Sequence, residues 1–401
     1  MGKPRVIFIN RVYHPSTEAT AQLLTDLAEG LVARGWAVEV IAAGTEPGPL
    51  SGVSIHRTGP GDINGDLISR TKNYVGFLRA ARRTLAATIQ PGDIVVVMTD
   101  PPLLAASATA IACERGARVV QWIQDIYPEI VPQHIGAWAG VPLLPLKWAR
   151  NRAWRAAARC VSVGEDMRTT VEAQGVPASR VDVLANWAPR ELHHVPDADT
   201  VAAYREKQSL PDGFIVGYSG NLGRVHEFAT FLGAAERLLA IDARGTFRIT
   251  GSGPQLPTVI AAKEKLRLDN ILISPPVLRK ELALSLAACH AHLVTLKPGF
   301  EGLVNPSKLT GSLAAGRPVL FIGPLRSALA KFILREKVGE VFAPGDAAGL
   351  AETIQRWAED GGVEAATLGR NARACYERHF AFESALDHWE RVLHHAASSR
   401  A

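Results

Sequence analysis

Long apolar runs are missing from this chain. No segment approaches the ~18 consecutive apolar residues needed to cross a bilayer. The first strand-like run, Val6–Ile9, begins where a signal peptide would carry its charged region. Cysteine is scarce: Cys113, Cys160, Cys289 and Cys375 are scattered without a CxxC, so they read as buried thiols in a reducing cytoplasm. Metal-ligand spacing is lacking as well. There is no HExxH, and the histidine pairs His193-His194 and His394-His395 have no partners at ligand spacing. The only DxD, Asp197-Ala198-Asp199, does not end an apolar strand. No metal site is therefore expected. The absence of GxxxxGKS/T argues against a P-loop NTPase, and the absence of GxGxxG after the first strand weakens a dehydrogenase. No recognition module or aromatic RNP motif points to nucleic acid.

What is present is an ordinary globular composition, 47% hydrophobic and 21% charged with a net charge of +5. The 401 residues suffice for two domains with good cores. A strand at Arg5–Asn10, a loop at Arg11–Thr20, a helix from Glu18 to Ala33 closed by Gly35, and a strand at Ala37–Ala42 form a βαβ opening. The same grammar restarts at Phe214–Tyr218, with a helix at Phe228–Ile241 and a strand at Thr246–Thr250. Two Rossmann-like halves are expected: residues 1–188, a Pro- and Asp-containing linker at 189–211, residues 212–380, and a terminal helix within 381–401.

Three glycine-bearing loops fall at the carboxyl ends of strands in the second half: Gly220–Arg224, Gly251–Pro254 and Gly299–Lys308. One such loop is weak evidence, but three in register supply N–H donors and cations of the kind a diphosphate needs. The stretch GFEGLVNPSKLTGSLAAGRPVLFIG, Gly299–Gly323, reads as a loop, a short helix with Pro306 at its first position, a stop at Gly316 and a strand from Pro318. Free N–H groups at that helix start would favour an anion. In the first half, Asp125 and Glu129 follow the strand Arg118–Ile123. A carboxylate there belongs at a ligand edge, or it caps a turn before Pro128. Basic, aromatic-interleaved stretches at 70–83 and 147–155 suit an anionic lipid surface. They fit solvated helix faces too.

FEGLVNPSKLTGSLAAGRPVLFIG resembles the donor-site segment of bacterial GT-B glycosyltransferases of family 4, in particular those that build colanic acid, O-antigen and other exopolysaccharides. Pro15-Ser16-Thr17-Glu18-Ala19-Thr20-Ala21 is similar to the family's first loop, with Glu18 where the family has glycine. Asp125-Ile126-Tyr127-Pro128-Glu129 and Asn186-Trp187 have counterparts as well. The resemblance implies an α/β GT-B fold: two doubly wound parallel-sheet domains facing across a cleft, with the terminal helix crossing back to the first.

It also implies a retaining glycosyltransferase. A nucleotide-sugar, a UDP-sugar by expectation, would bind the second domain as substrate, with no cofactor or metal. A polyprenyl-diphosphate-linked or other glycan acceptor would bind the first, on the inner face of the bacterial inner membrane. The donor residues it points to are Gly220, Asn221, Arg224, Gly251, Gly253, Phe300, Glu301, Gly302, Pro306, Ser307 and Lys308. On the acceptor side stand Glu18, Thr20, Asp125 and Glu129. Chemistry is assigned to four of these: Arg224 and Lys308 on the leaving diphosphate, Glu301 orienting the sugar, and Asp125 facing the acceptor hydroxyl. Three departures stand out: the family's diphosphate-binding Arg and Lys fall at Asn221 and His226, and its second glutamate falls at Gly311. Two other readings share the fold or the departures, a non-hydrolysing UDP-sugar 2-epimerase and a non-catalytic scaffold of a polysaccharide-assembly complex.

Overall fold

The computed structural model describes residues 3–46, 52–59, 61, 67–241 and 245–399. Their contacts divide the chain into two units. The first holds Met1–Ala185, Gly302–Asn305 and Glu383–Ala401, and the second holds Asn186–Glu301 and Pro306–Phe382.

The first unit is built on seven strands: β1 Val6–Ile9, β2 Val38–Ala42, β3 Ser54–Arg57, β4 Ile94–Val97, β5 Arg118–Ile123, β6 Arg159–Ser162 and β7 Val181–Val183. All pair in parallel, in the order β3-β2-β1-β4-β5-β6-β7. The central strands are continuous apolar runs because both faces are covered, and every residue of β1 and β4 is buried. The edge strand β3, Ser-Ile-His-Arg, has no buried residue. Strand order reverses between β1 and β4, so the loops leaving them open the crevice where such sheets take ligands. The helix Leu104–Glu114 packs against both the helix Leu67–Thr88 and the helix Leu144–Ala156. The sequence pattern starts the helix Leu67–Thr88 at Asp66, which lies outside the described residues. The final helix, Phe382–Ser398, lays Trp389 edge-on to Trp122 of β5, ring centroids 4.8 Å apart. Its Glu390 accepts from Lys3, Arg34 and the Trp36 indole at 2.7–2.8 Å.

The second unit is built on β8 Phe214–Ser219, β9 Gly245–Thr250, β10 Ile271–Ser274, β11 Ala291–Thr295, β12 Val319–Ile322 and β13 Gly339–Phe342. Their order is β10-β9-β8-β11-β12-β13, again all parallel, reversing between β8 and β11. Its core gathers Phe214, Val216, Phe231, Phe247, Leu350 and Trp357.

The segment 189–211, expected as a linker, carries a helical turn at Arg190–Leu192 and a helix at Ala198–Lys207 that packs on the helix Leu282–Ala287. Asp197 accepts the Thr200 N–H at 2.8 Å, so the DxD is a helix cap and first turn. The 147–155 stretch does not face outward throughout. Arg150 and Trp154 are buried, the guanidinium lying 4.0 Å from the indole centroid, whereas Trp148 and Arg152 are exposed.

Candidate active site

In the second unit, β8 ends at Ser219 and the chain turns through Gly220. The Gly220 N–H donates to Thr250 and the Leu222 N–H to Ser252, so the loops after β8 and β9 are laced together. Both glycines of the second loop are required. A Cβ on Gly251 would stand 2.0 Å from the Gly220 oxygen, one on Gly253 would stand 2.6 Å from the Leu222 nitrogen, and both have positive φ. Asn221 is exposed, and its carbonyl accepts the Tyr218 hydroxyl at 2.8 Å.

Beside this lattice lies a cation. The Lys308 ammonium donates to His226 Nε2 at 3.2 Å and sits 4.9 Å from the Tyr218 ring centroid. Its Cε would be 3.5 Å from a Cβ at Gly220. The His226 Nδ1 faces the Thr295 carbonyl at 2.7 Å. That carbonyl accepts only, so the proton is on Nδ1 and Nε2 presents a lone pair to Lys308. Burial and the Lys308 charge push His226 down to about 3, so the ring is neutral. Burial pushes Lys308 down to about 8. The ammonium is thus held by a neutral acceptor and an aromatic face, with no carboxylate among the described residues to cancel it, which leaves its charge for an anion.

The remaining donor-side positions divide. Arg224 is exposed, and the contact at that residue is its carbonyl, which accepts Lys297 Nζ at 2.9 Å. Glu301 is half-buried, and its carboxylate accepts the Gly299 N–H at 2.6 Å, holding its own turn. Phe300 is buried. Pro306 is buried and Ser307 exposed, but the helix begins at Lys308, so Pro306 precedes the first turn instead of occupying it. The helix Lys308–Ala314 is only two turns long, which makes the Lys308 charge, more than a macrodipole, the electrostatic feature here. Gly302 packs with the first unit: a Cβ there would stand 2.6 Å from Thr170 Oγ1. Its neighbours Leu303, Val304 and Asn305 bond to Ile126, Asp125 and Val163. Its glycine is explained by close approach to the helix Glu165–Ala173.

In the first unit, carboxylates and one arginine meet at the switch point. Arg11, buried after β1, pairs with Asp100 after β4 at 2.8 Å and reaches Glu18 at 3.5 Å. Asp125, after β5, is pushed up to about 6 by burial and by the Asp100 charge. Asp100 is itself raised by burial, against the pull of Arg11. Thr20 is half-buried in the first turn of the helix Ala19–Ala33. Glu129 stands apart, its oxygens taking both ends of the Arg150 guanidinium at 2.5 and 2.8 Å with Lys147 at 3.3 Å. Desolvation opposes the charge, but Arg150 outweighs it and lowers the Glu129 pKa. Sequence reasoning missed Arg11, Asp100 and the Lys308–His226 contact. The signals were local for the first two: a charged residue within three positions of the end of an apolar strand.

As to metal, one group among the described residues comes within ligand spacing, Glu336, Cys375 and His379. Glu336 is already paired with Arg335 at 2.9 Å and Arg378 at 3.3 Å, so its charge is balanced without an ion.

Comparison with known proteins follows this division. The model of a glycosyl transferase 4-like domain matches residues 19–187, and that of glycosyl transferases group 1 matches residues 213–360. The chain is 25% identical over 311 residues to WbjE of Pseudomonas aeruginosa, described as a glycosyltransferase, covering 77% of this chain and 75% of that one. It is 33% identical over 157 residues to the Escherichia coli colanic acid biosynthesis glycosyl transferase WcaI, covering 39% of this chain and 38% of that one. Among solved structures, Anabaena HepE in complex with UDP-glucose superposes with a TM-score of 0.73 at 15% identity over 97% of this chain and 99% of that one. WaaG, a glycosyltransferase of lipopolysaccharide biosynthesis, gives 0.72 at 16% over 95% and 98%.

Proposed function

Because this chain belongs to the GT-B glycosyltransferases of the family 4 type, we propose that it moves a hexose from a UDP-sugar to a polyprenyl-diphosphate-linked glycan of a bacterial surface polysaccharide. The observation that carries the donor assignment is the Lys308 ammonium, held by neutral His226 over the Tyr218 ring beside the laced glycine loops. The donor diphosphate lies against these loops. As the anomeric C–O bond breaks, charge grows on the departing diphosphate and Lys308 stabilises it without a metal ion, with Arg224 free to close over the same anion. Glu301 holds the turn that presents the sugar.

On the acceptor side Asp125, ionised above about pH 6, takes a hydrogen bond from the attacking hydroxyl, and the Arg11–Asp100 pair fixes the field around it. Configuration at the anomeric carbon is retained, as the family likeness implies. UDP bound by HepE and the polysaccharide roles of WcaI and WaaG support the donor and acceptor classes. A donor panel read by thermal shift and by UDP release tests the reading. Stabilisation by UDP-sugars with transfer to a lipid-linked glycan supports it. Interconversion of a UDP-sugar alone would make the chain an epimerase, and absence of UDP binding would leave the scaffold reading.

A further inference from the structure

Acids make up 39 of the 401 residues, yet two stretches of the first unit hold none. Residues 67–92 carry Arg70, Lys72, Arg79, Arg82 and Arg83, and residues 130–164 carry Lys147 and Arg152 among their cations. The fold sets their helices, Leu67–Thr88 and Leu144–Ala156, on either side of the helix Leu104–Glu114, so they share one layer. All five cations of the first helix are exposed, and none has a carboxylate partner among the described residues.

The second stretch adds an apolar ridge. Ile135, Trp138, Val141, Leu144 and Trp148 are 54–72% exposed within fourteen residues of chain. The other six tryptophans are at most 3% exposed, so this protein's two exposed indoles both lie here. Arg152 lies 5.9 Å from the Trp148 ring centroid, its charge kept at the rim. Lys147 is shared with Glu129 at 3.3 Å, but the five cations of the first helix have no carboxylate partner among the described residues, and wide apolar exposure beside such cations repels water and attracts anions together. Tryptophan at the boundary of the two suits a lipid headgroup zone.

We propose that the ridge Ile135–Trp148 inserts into an anionic bilayer surface while the cations of Leu67–Thr88 lie on its headgroups. The inference deepens the acceptor assignment and rests on it only for the purpose of docking; the docking itself is read from the surface. Of the basic, aromatic-interleaved stretch at 147–155 it keeps Trp148 and Arg152, adds Trp138 from outside it, and leaves out Arg150 and Trp154, which are buried in the fold.

The test uses the full chain with vesicles of phosphatidylglycerol and phosphatidylcholine, against vesicles of phosphatidylcholine only. Sedimentation should require the anionic lipid and fall as salt rises, since surface charge is screened beyond about 8 Å at ~0.15 M. Quenching by acrylamide, to which only Trp138 and Trp148 are open, should drop on binding. The Trp138→Ser, Trp148→Ser double variant should bind anionic vesicles at least about tenfold more weakly. Arg79→Ser, Arg82→Ser and Arg83→Ser together should weaken binding at low salt and flatten its dependence on salt, because fewer cations are left to be screened. UDP affinity in both variants should match the parent, which shows that they fold and separates this proposal from the donor reading. Vesicle binding by a parent that ignores UDP would sink the donor reading and leave the docking intact. Unchanged binding by the double tryptophan variant overturns the proposal, as does equal binding to neutral vesicles. A parent that ignores both vesicle types but dimerises through these tryptophans would make a second copy the occupant and overturn it likewise.

Discussion

Raising the pH from 7 to 9 should weaken UDP binding about tenfold. Lys308 titrates near 8 because its ammonium is buried against a neutral histidine and a tyrosine ring, with no carboxylate partner among the described residues. At pH 7 about nine-tenths of the molecules carry that charge, and at pH 9 about one-tenth do. An anion prefers the charged form, so the bound state has the higher pKa and binding above pH 8 takes up a proton. Affinity must therefore fall as pH rises, by about 1.4 kcal/mol across the window. A solvated lysine near 10.4 would show almost no change over the same range. Titration calorimetry at pH 7, 8 and 9 measures this, with Lys308→Met as the baseline that removes titration of the ligand itself. Lys308→Met should bind roughly 1.5–3 kcal/mol more weakly at pH 7. Lys308→Arg, charged throughout, should flatten the profile. If parent and Lys308→Met lose affinity in parallel, Lys308 does not touch the anion and the donor site as drawn is wrong.

Turnover should fall on the acid side with an apparent pKa near 6, because Asp125 must be ionised to receive the acceptor proton and burial with Asp100 raises it to that value. Asp125→Asn should lower kcat by about 10² or more with UDP affinity kept, and an acid limb that survives in this variant would exonerate Asp125. Transfer should persist in excess EDTA, and a loss restored by Mg²⁺ or Mn²⁺ would contradict the cation-based account of the leaving group. Glu390→Gln should destabilise the first unit by roughly 1–3 kcal/mol in urea at pH 7. Desolvation opposes the Glu390 charge, but Lys3, Trp36 and Arg34 outweigh it and lower the group to about 2. Its contribution is thus present above about pH 4.5 and lost as pH falls toward 2, so the variant and parent should converge in acid. A constant gap at every pH would refute the assignment.

The sequence by itself determined the fold class, because the information is local. Continuous apolar runs such as Val6–Ile9 become central strands wherever both faces are covered. Gly251 and Gly253 mark a loop that no larger residue can enter, and the alternation of strand and helix leaves little but two parallel sheets. Lys308 was legible as a cation at a strand-to-helix loop for the same reason. Only the tertiary structure decided what that cation meets. Its partner His226 lies 82 positions earlier, and the reversal of strand order between β8 and β11 is what sets the two loops side by side. The same holds for the layer proposed to face lipid. Helical spacing shows that 147–155 has more than one face, but which tryptophan is core and which is ridge follows from the seat of Leu144–Ala156 on its neighbour. The family resemblance offered Glu129 as an acceptor-side group, while packing gave it to Arg150. Local sequence constrains backbone conformation within a few residues. Charge pairing and exposure depend on which distant elements the crossover connections bring into contact, and only the folded chain specifies that.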